Sequence, residues 1–233
     1  MFRSRYAAAR QGLQWAIGWA TLVMAAALLA GAAAAQPVAK AASATAPRSA
    51  APRTVLVMGD SLSAGYGMAA SQGWVTLTAQ RVAATRPGWR VVNASISGET
   101  TAGGVSRIGG ELKRVKPAVV VIGLGANDGL RGLPLAQTRA NLDRMVRASK
   151  ASGAKVLLLG MRMPPNLGKA YTDGFEANFR AVAKQHGVAL LPFLLEPIAT
   201  DRNAFQADNL HPTVAAQPKL RDHVWPALAP LLR

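Results

Sequence analysis

The stretch "TVLVMGDSLSAGYG", residues 54–67, decides how the rest of the chain is read. Val55 to Met58 is an unbroken apolar run, the pattern of a strand buried on both faces, and it stops abruptly at Gly59-Asp60-Ser61 among further small residues. A buried strand ending in an ordinary turn would account for this stretch by itself, so its meaning depends on what accompanies it. Four further runs of the same kind follow: "RVVNAS" (90–95), "AVVVIGLG" (118–125), "AKVLLLG" (154–160) and "VALLPFL" (188–194). Each is separated from the next by enough residues for a helix. Strands that alternate with helices predict an α/β fold with a parallel five-stranded sheet covered on both faces.

The intervening segments support this. Leu135, Thr138, Leu142, Met145, Val146 and Ser149 recur at helical spacing, with Arg139, Asp143, Arg144, Arg147 and Lys150 largely opposite, which predicts an amphipathic helix lying on the sheet. Asp173 followed by Glu176 predicts the N-cap and first turn of another helix, which ends at Gly187 after His186.

At 233 residues the chain has room for one such domain and some appended sequence. Arg3, Arg5 and Arg10 precede an apolar stretch running into "LVMAAALLAGAAAAQ" (22–36), with small residues at Ala33-Ala34-Ala35. This layout predicts a signal peptide over 1–35, cleaved before Gln36 after export to the periplasm or beyond; retention as a membrane anchor is the alternative. Residues 36–53, rich in Ala, Pro and Ser, read as a flexible linker, and the domain spans 54–233. There is no cysteine, so a disulfide framework, a cysteine-ligated metal and a cysteine nucleophile are all excluded.

The chain carries 27 basic and 11 acidic residues, a net charge of +16; without its first 35 residues it would carry +13. A basic exterior allows transient contact with an anionic membrane surface. No basic cluster is interleaved with aromatics, so no nucleic-acid partner is expected.

In an open parallel sheet, ligands bind beyond the carboxyl ends of the strands. The residues there are Ser61 after the first run, Ser97-Gly98 after the second and Asn127-Asp128 after the third, with His211 in "ADNLHPTVAAQP" (207–218) after the fifth. Each suits one role in acyl transfer. A serine hydroxyl needs a base, which His211 can supply, and Asp208 three residues earlier can orient the ring. The Asn127 amide and the backbone N–H groups of Gly98 and Ser61 can face a developing oxyanion. Asp60 reads as a structural turn acid. His186 and His223 read as surface or helix-end residues, and three scattered histidines give no metal-binding spacing. "GLGANDG" fails the dinucleotide-binding glycine pattern, and residues 59–63 fail the G-x-S-x-G elbow. In the loops after the third and fourth runs, Leu130, Leu133, Met163, Pro164, Leu167 and Tyr171 would favour an apolar acyl chain if they line the site; ordinary loop packing explains them equally well.

The blocks "GDSLSAGYG", "NASISGET", "GLGANDGL" and "DNLHP" stand in the order found in the SGNH, or GDSL, hydrolase family, and the chain resembles that family over nearly everything after Thr54, most of all its periplasmic acyl-hydrolases. The resemblance implies a three-layer flavodoxin-like fold, Ser61 as nucleophile, Gly98 and Asn127 as oxyanion donors and His211 as base beside Asp208. It also implies no metal and no cofactor, and small-molecule acyl esters or thioesters as substrates, lysophospholipids and aryl esters among them. A monomer is expected. Ala126 departs from the pattern, standing where many relatives have a second glycine. A non-enzymatic envelope-binding protein on the same fold is the alternative.

Overall fold

The structure is a computed structural model that describes residues 51–233. The expected signal peptide and nearly all of the linker lie outside the described residues. Five strands, β1 (Arg53–Gly59), β2 (Trp89–Asn93), β3 (Val119–Gly123), β4 (Lys155–Leu159) and β5 (Ala189–Leu191), form one sheet in the order β2-β1-β3-β4-β5, and every neighbouring pair is parallel. The apolar runs are continuous because helices cover both faces: Val55 to Met58 and Val119 to Ile122 are all buried.

The helices are α1 (Ser61–Ala64), α2 (Trp74–Thr85), α3 (Thr101–Val115), α4 (Ala126–Leu130), α5 (Leu135–Ala151), α6 (Lys169–His186) and α7 (Gln217–Leu228). Helices α3, α5 and α6 pack side by side in one layer, and α2 packs against α7 in the other. Helix α5 buries Thr138, Leu142, Met145, Val146 and Ser149, as its spacing predicts, and Asn141 as well. Helix α3 starts at Thr100, whose hydroxyl accepts from the Gly103 N–H, and Lys113 and Arg114 in its last turn face the negative end of its dipole.

Two boundaries differ from the sequence reading. Helix α6 begins at Lys169, so Asp173 lies in its second turn and is not its N-cap. There the Asp173 carboxylate accepts from the Lys169 ammonium at 2.7 Å, an exposed i,i+4 pair within the helix. Strand β5 stops at Leu191 because Pro192 has no N–H for the ladder.

The order of the sheet places the site. The chain leaves β1 outward to β2, then passes back across β1 to β3, so the connections beyond β1 and β3 diverge and leave a crevice between them. Ser61 and Asn127 stand at the mouth of that crevice, on the first turns after these two central strands.

Candidate active site

Ser61 opens α1 directly after β1. Asp60 is the N-cap, its Oδ1 accepting the Leu62 N–H at 3.0 Å, and Gly65 ends the helix in the left-handed conformation. Asp60 also takes the N–H groups of Ser63 and Ala64 on its carbonyl, which leaves the Ser61 N–H, beside the Ser61 hydroxyl, without a partner in the turn.

The imidazole of His211 meets that hydroxyl from a segment 150 residues further on, with Nε2 2.8 Å from Ser61 Oγ. Its Nδ1 lies 2.6 Å from Asp208 Oδ2, while Asp208 Oδ1 accepts the backbone N–H groups of Leu210 at 2.9 Å and His211 at 3.0 Å. The His211 N–H, then the imidazole and the Leu210 N–H, hold the Asp208 carboxyl down at about 2, although it is solvent-facing. An ionised carboxylate only accepts, so Nδ1 carries the proton and Nε2 is left to accept from Ser61. The turn is tight because Asn209 takes a positive φ of 58°.

Two contacts fasten the opposite wall. Asn127 Nδ2 donates to the Glu99 carbonyl at 3.0 Å, leaving its second amide proton available, and the Arg131 guanidinium donates to the Gly98 carbonyl at 3.1 Å. Gly98 itself has φ 78°, a conformation that turns the loop at the end of β2 back toward the crevice. Buried Asp128 accepts from both the N–H and the hydroxyl of Thr101, tying α4 to the start of α3. The donor-bearing loops are thus fixed to one another, which is what preorganised stabilisation of charge requires.

Ser61, Gly98, Asn127 and His211 line a single cavity of about 400 Å³. Leu130, Met163 and Pro164 also line it; Leu167 and Tyr171 do not. The Tyr171 hydroxyl donates to the Leu133 carbonyl at 2.9 Å and its ring stacks on Phe175, which turns it away from the cavity. The remaining apolar wall comes from residues that sequence reasoning did not single out, chiefly Tyr66, Met161, Leu195, Phe205 and Leu210. The Tyr66 ring also lies against the imidazole, centroids 4.4 Å apart and planes inclined by 35°. The quoted block "GDSLSAGYG" contains this tyrosine, but nothing in its spacing marks it as a neighbour of the base.

Asp60 takes no part in the Ser61–His211–Asp208 chain of contacts. It is buried, its Oδ2 has no partner, and burial pushes its carboxyl up to about 6 against the opposing pull of the Leu62 N–H. His186 sits at the end of α6, 2.7 Å from Asp143, and His223 reaches the Phe193 carbonyl at 2.9 Å, so each is held within the fold and away from the cavity. Among the described residues no group of histidine and acidic side chains is arranged to hold a metal ion.

Comparison with known proteins identifies the family. A family model described as GDSL-like lipase/acylhydrolase matches residues 57–217. The chain is 52% identical over 183 residues to the esterase TesA of Pseudomonas aeruginosa, covering 78% of this chain and 91% of that protein. It is 40% identical over 189 residues to the thioesterase 1/protease 1/lysophospholipase L1 of Escherichia coli K12, covering 79% and 88%. A crystal structure of the psychrotrophic esterase EstA from Pseudoalteromonas sp., inhibited by monoethylphosphonate, superposes with a TM-score of 0.74 at 37% identity, covering 77% of this chain and 98% of that one. By its sequence, its sheet order and the meeting of its four blocks around one cavity, the chain belongs to the GDSL-like lipase/acylhydrolase family.

Proposed function

We propose that the protein is an exported serine hydrolase of carboxylic esters and thioesters, with Ser61 as nucleophile. The observation that carries the reading is the continuous run of contacts from Asp208 through the His211 ring to Ser61 Oγ, at 2.6 and 2.8 Å, opening into a cavity with apolar walls.

The chemistry follows from the contacts. As Ser61 Oγ attacks the acyl carbon, its proton passes to His211 Nε2, and the ionised Asp208 stabilises the imidazolium. Negative charge moves to the carbonyl oxygen, toward the N–H groups of Gly98 and Ser61 and the free amide proton of Asn127. The tetrahedral adduct collapses when His211 returns the proton to the leaving oxygen or sulfur. Water, deprotonated by the same ring, then releases the acid from Ser61. Leu130, Met163 and Pro164, with Met161 and Leu195, offer the acyl chain an apolar surface. The relatives named esterase, thioesterase and lysophospholipase support acyl esters and thioesters as the substrate class. The same reading has the protein act as a periplasmic monomer whose basic exterior touches anionic membrane in passing.

A fluorophosphonate probe and p-nitrophenyl esters test it. Wild-type protein is expected to be labelled at Ser61 and to hydrolyse the esters, and Ser61→Ala to lose both, with turnover down by at least about 10⁴-fold. Asn127→Ala should retain labelling at a reduced rate and lose about 10²- to 10³-fold in turnover. Undiminished hydrolysis by Ser61→Ala would remove the serine mechanism and leave a binding protein with an unrelated hydrolytic site.

A further inference from the structure

The imidazole is carried by a segment without a long helix or strand, between β5 and α7, in which residues 206–210 are half-buried or exposed. Holding such a segment still opposes the conformational entropy of the chain, so something must fix it. One isolated bridge between Phe205 and Pro212 closes its base. Inside that bridge, Gln206 makes connections through its backbone N–H, its carbonyl and its side-chain amide.

Its backbone N–H donates to the His211 carbonyl at 2.7 Å, and its own carbonyl accepts the Asn209 N–H at 2.9 Å. Its side-chain amide has two protons and both are used. Nε2 donates to the Pro212 carbonyl at 3.0 Å and to the Tyr66 carbonyl at 2.9 Å. The first bond completes a bracket around the base, since Gln206 then holds the carbonyls of both His211 and the residue after it. The second crosses to the loop that follows the nucleophile helix. That is a link over 140 residues of sequence between the segment bearing the base and the segment bearing the hydroxyl.

The receiving loop is shaped for this amide. Gly67 has φ 75°, and a methyl group placed on it would lie 2.3 Å from Gln206 Oε1. Only a residue without Cβ lets the amide lie flat on the chain there. With the Tyr66 carbonyl held by Gln206, the Tyr66 ring is also fixed where it covers the face of the His211 imidazole.

We propose that Gln206 is the positioning residue that joins the base-carrying segment to the nucleophile loop and sets the reach of the His211 ring to Ser61. The proposal rests on the serine-hydrolase reading above. Gln206 does not line the catalytic cavity, so it acts through Tyr66 and His211 and not on substrate. Its effect therefore falls first on the rate of proton transfer, since no atom of Gln206 itself meets the acyl chain.

Gln206→Met tests this, because it keeps the length of the side chain and removes both donors. On p-nitrophenyl butyrate, kcat is expected to fall by about 10- to 100-fold, the scale of an ångström-sized misplacement, with KM changed by less than about twofold. Labelling of Ser61 by the fluorophosphonate should slow by the same factor, with folded protein quantified by circular dichroism. Wild-type kcat in folded Gln206→Met, or a rise in KM with kcat unchanged, overturns the proposal. A second test stands if that variant does not fold. Gly67→Ala, strained at φ 75° in either background, should slow turnover by a larger factor in the wild-type background, where its methyl also meets the amide, than in a Gln206→Ala background, where it does not. An undiminished effect of Gly67→Ala there also overturns the proposal. None of these outcomes bears on whether Ser61 is the nucleophile, which Ser61→Ala decides by itself.

Discussion

Two carboxylates flank one hydroxyl, and their surroundings give them opposite characters. Asp208 faces solvent, accepts two backbone N–H groups and an imidazole, and is held at about 2. Asp60 is buried with a partner on one oxygen only, and titrates at about 6. The first therefore stays ionised at neutral pH and in mild acid; the second takes up a proton in mild acid. For Asp60 the folded value lies above the ordinary 3.8, so between pH 6 and 3.8 the folded chain binds the extra proton and stability rises as pH falls. Above pH 6 both states are ionised and the cost of burying the charge stands in full. Asp60→Asn has no such proton. The unfolding free energy of wild type relative to that variant is thus expected to grow by on the order of 2–3 kcal/mol from pH 7 to pH 4, read from urea denaturation at each pH. A difference that does not change with pH would contradict the assignment. The spacing of Asp208, His211 and Pro212 makes their pairing readable from sequence. The burial of Asp60 is not readable, because nothing in Gly59-Asp60-Ser61 says whether the acid faces the sheet or the solvent. Gln206 was missed for the same reason: its partners, Tyr66 and Pro212, belong to contacts that only folding creates.

Helices show where local preference and packing disagree. Helix α3 contains Gly103, Gly104, Gly109 and Gly110, each costing about 1 kcal/mol relative to alanine, yet it runs for 15 residues. Packing and caps outweigh propensity here, and the glycines are not equivalent. A methyl on Gly104 would lie 2.4 Å from Leu124 Cδ1 and 2.7 Å from Met145 Sδ, whereas one on Gly109 would meet nothing within 4 Å. Gly109→Ala is expected to stabilise the fold by about 0.5–1 kcal/mol through propensity alone. Gly104→Ala gains the same term but forces α3 away from α5 at about 1–3 kcal/mol, so a net loss is expected. Thermal midpoints that move in the same direction for the two variants would refute this account. Strands and the apolar stripe of α5 were legible because burial on one or both faces writes a period into the sequence. The start of α6 was not, because Asp173 satisfies an interior ion pair and a cap equally well on paper.

For the whole molecule, five apolar runs in alternation with helices suffice to define the architecture, and four short blocks in order suffice to find the crevice. The wall of the cavity was only partly legible. Leu130, Met161, Met163 and Pro164 come from connections that could be inspected together, though Met161 was passed over, while Leu195, Phe205 and Leu210 reach it from segments whose convergence depends on the finished fold. No helix among the described residues is long and apolar enough to cross a membrane. On the export proposed above, the mature protein is expected to begin at Gln36, as intact-mass measurement would show. A mass that retains residues 1–35 would favour the anchored form.

The 150 residues that separate Ser61 from His211 also bear on synthesis. Ribosomes build the amino end first, so the alcohol is made long before the ring that meets it. On the proposed mechanism, a prematurely terminated product ending short of residue 211 would lack its base and be silent toward esters.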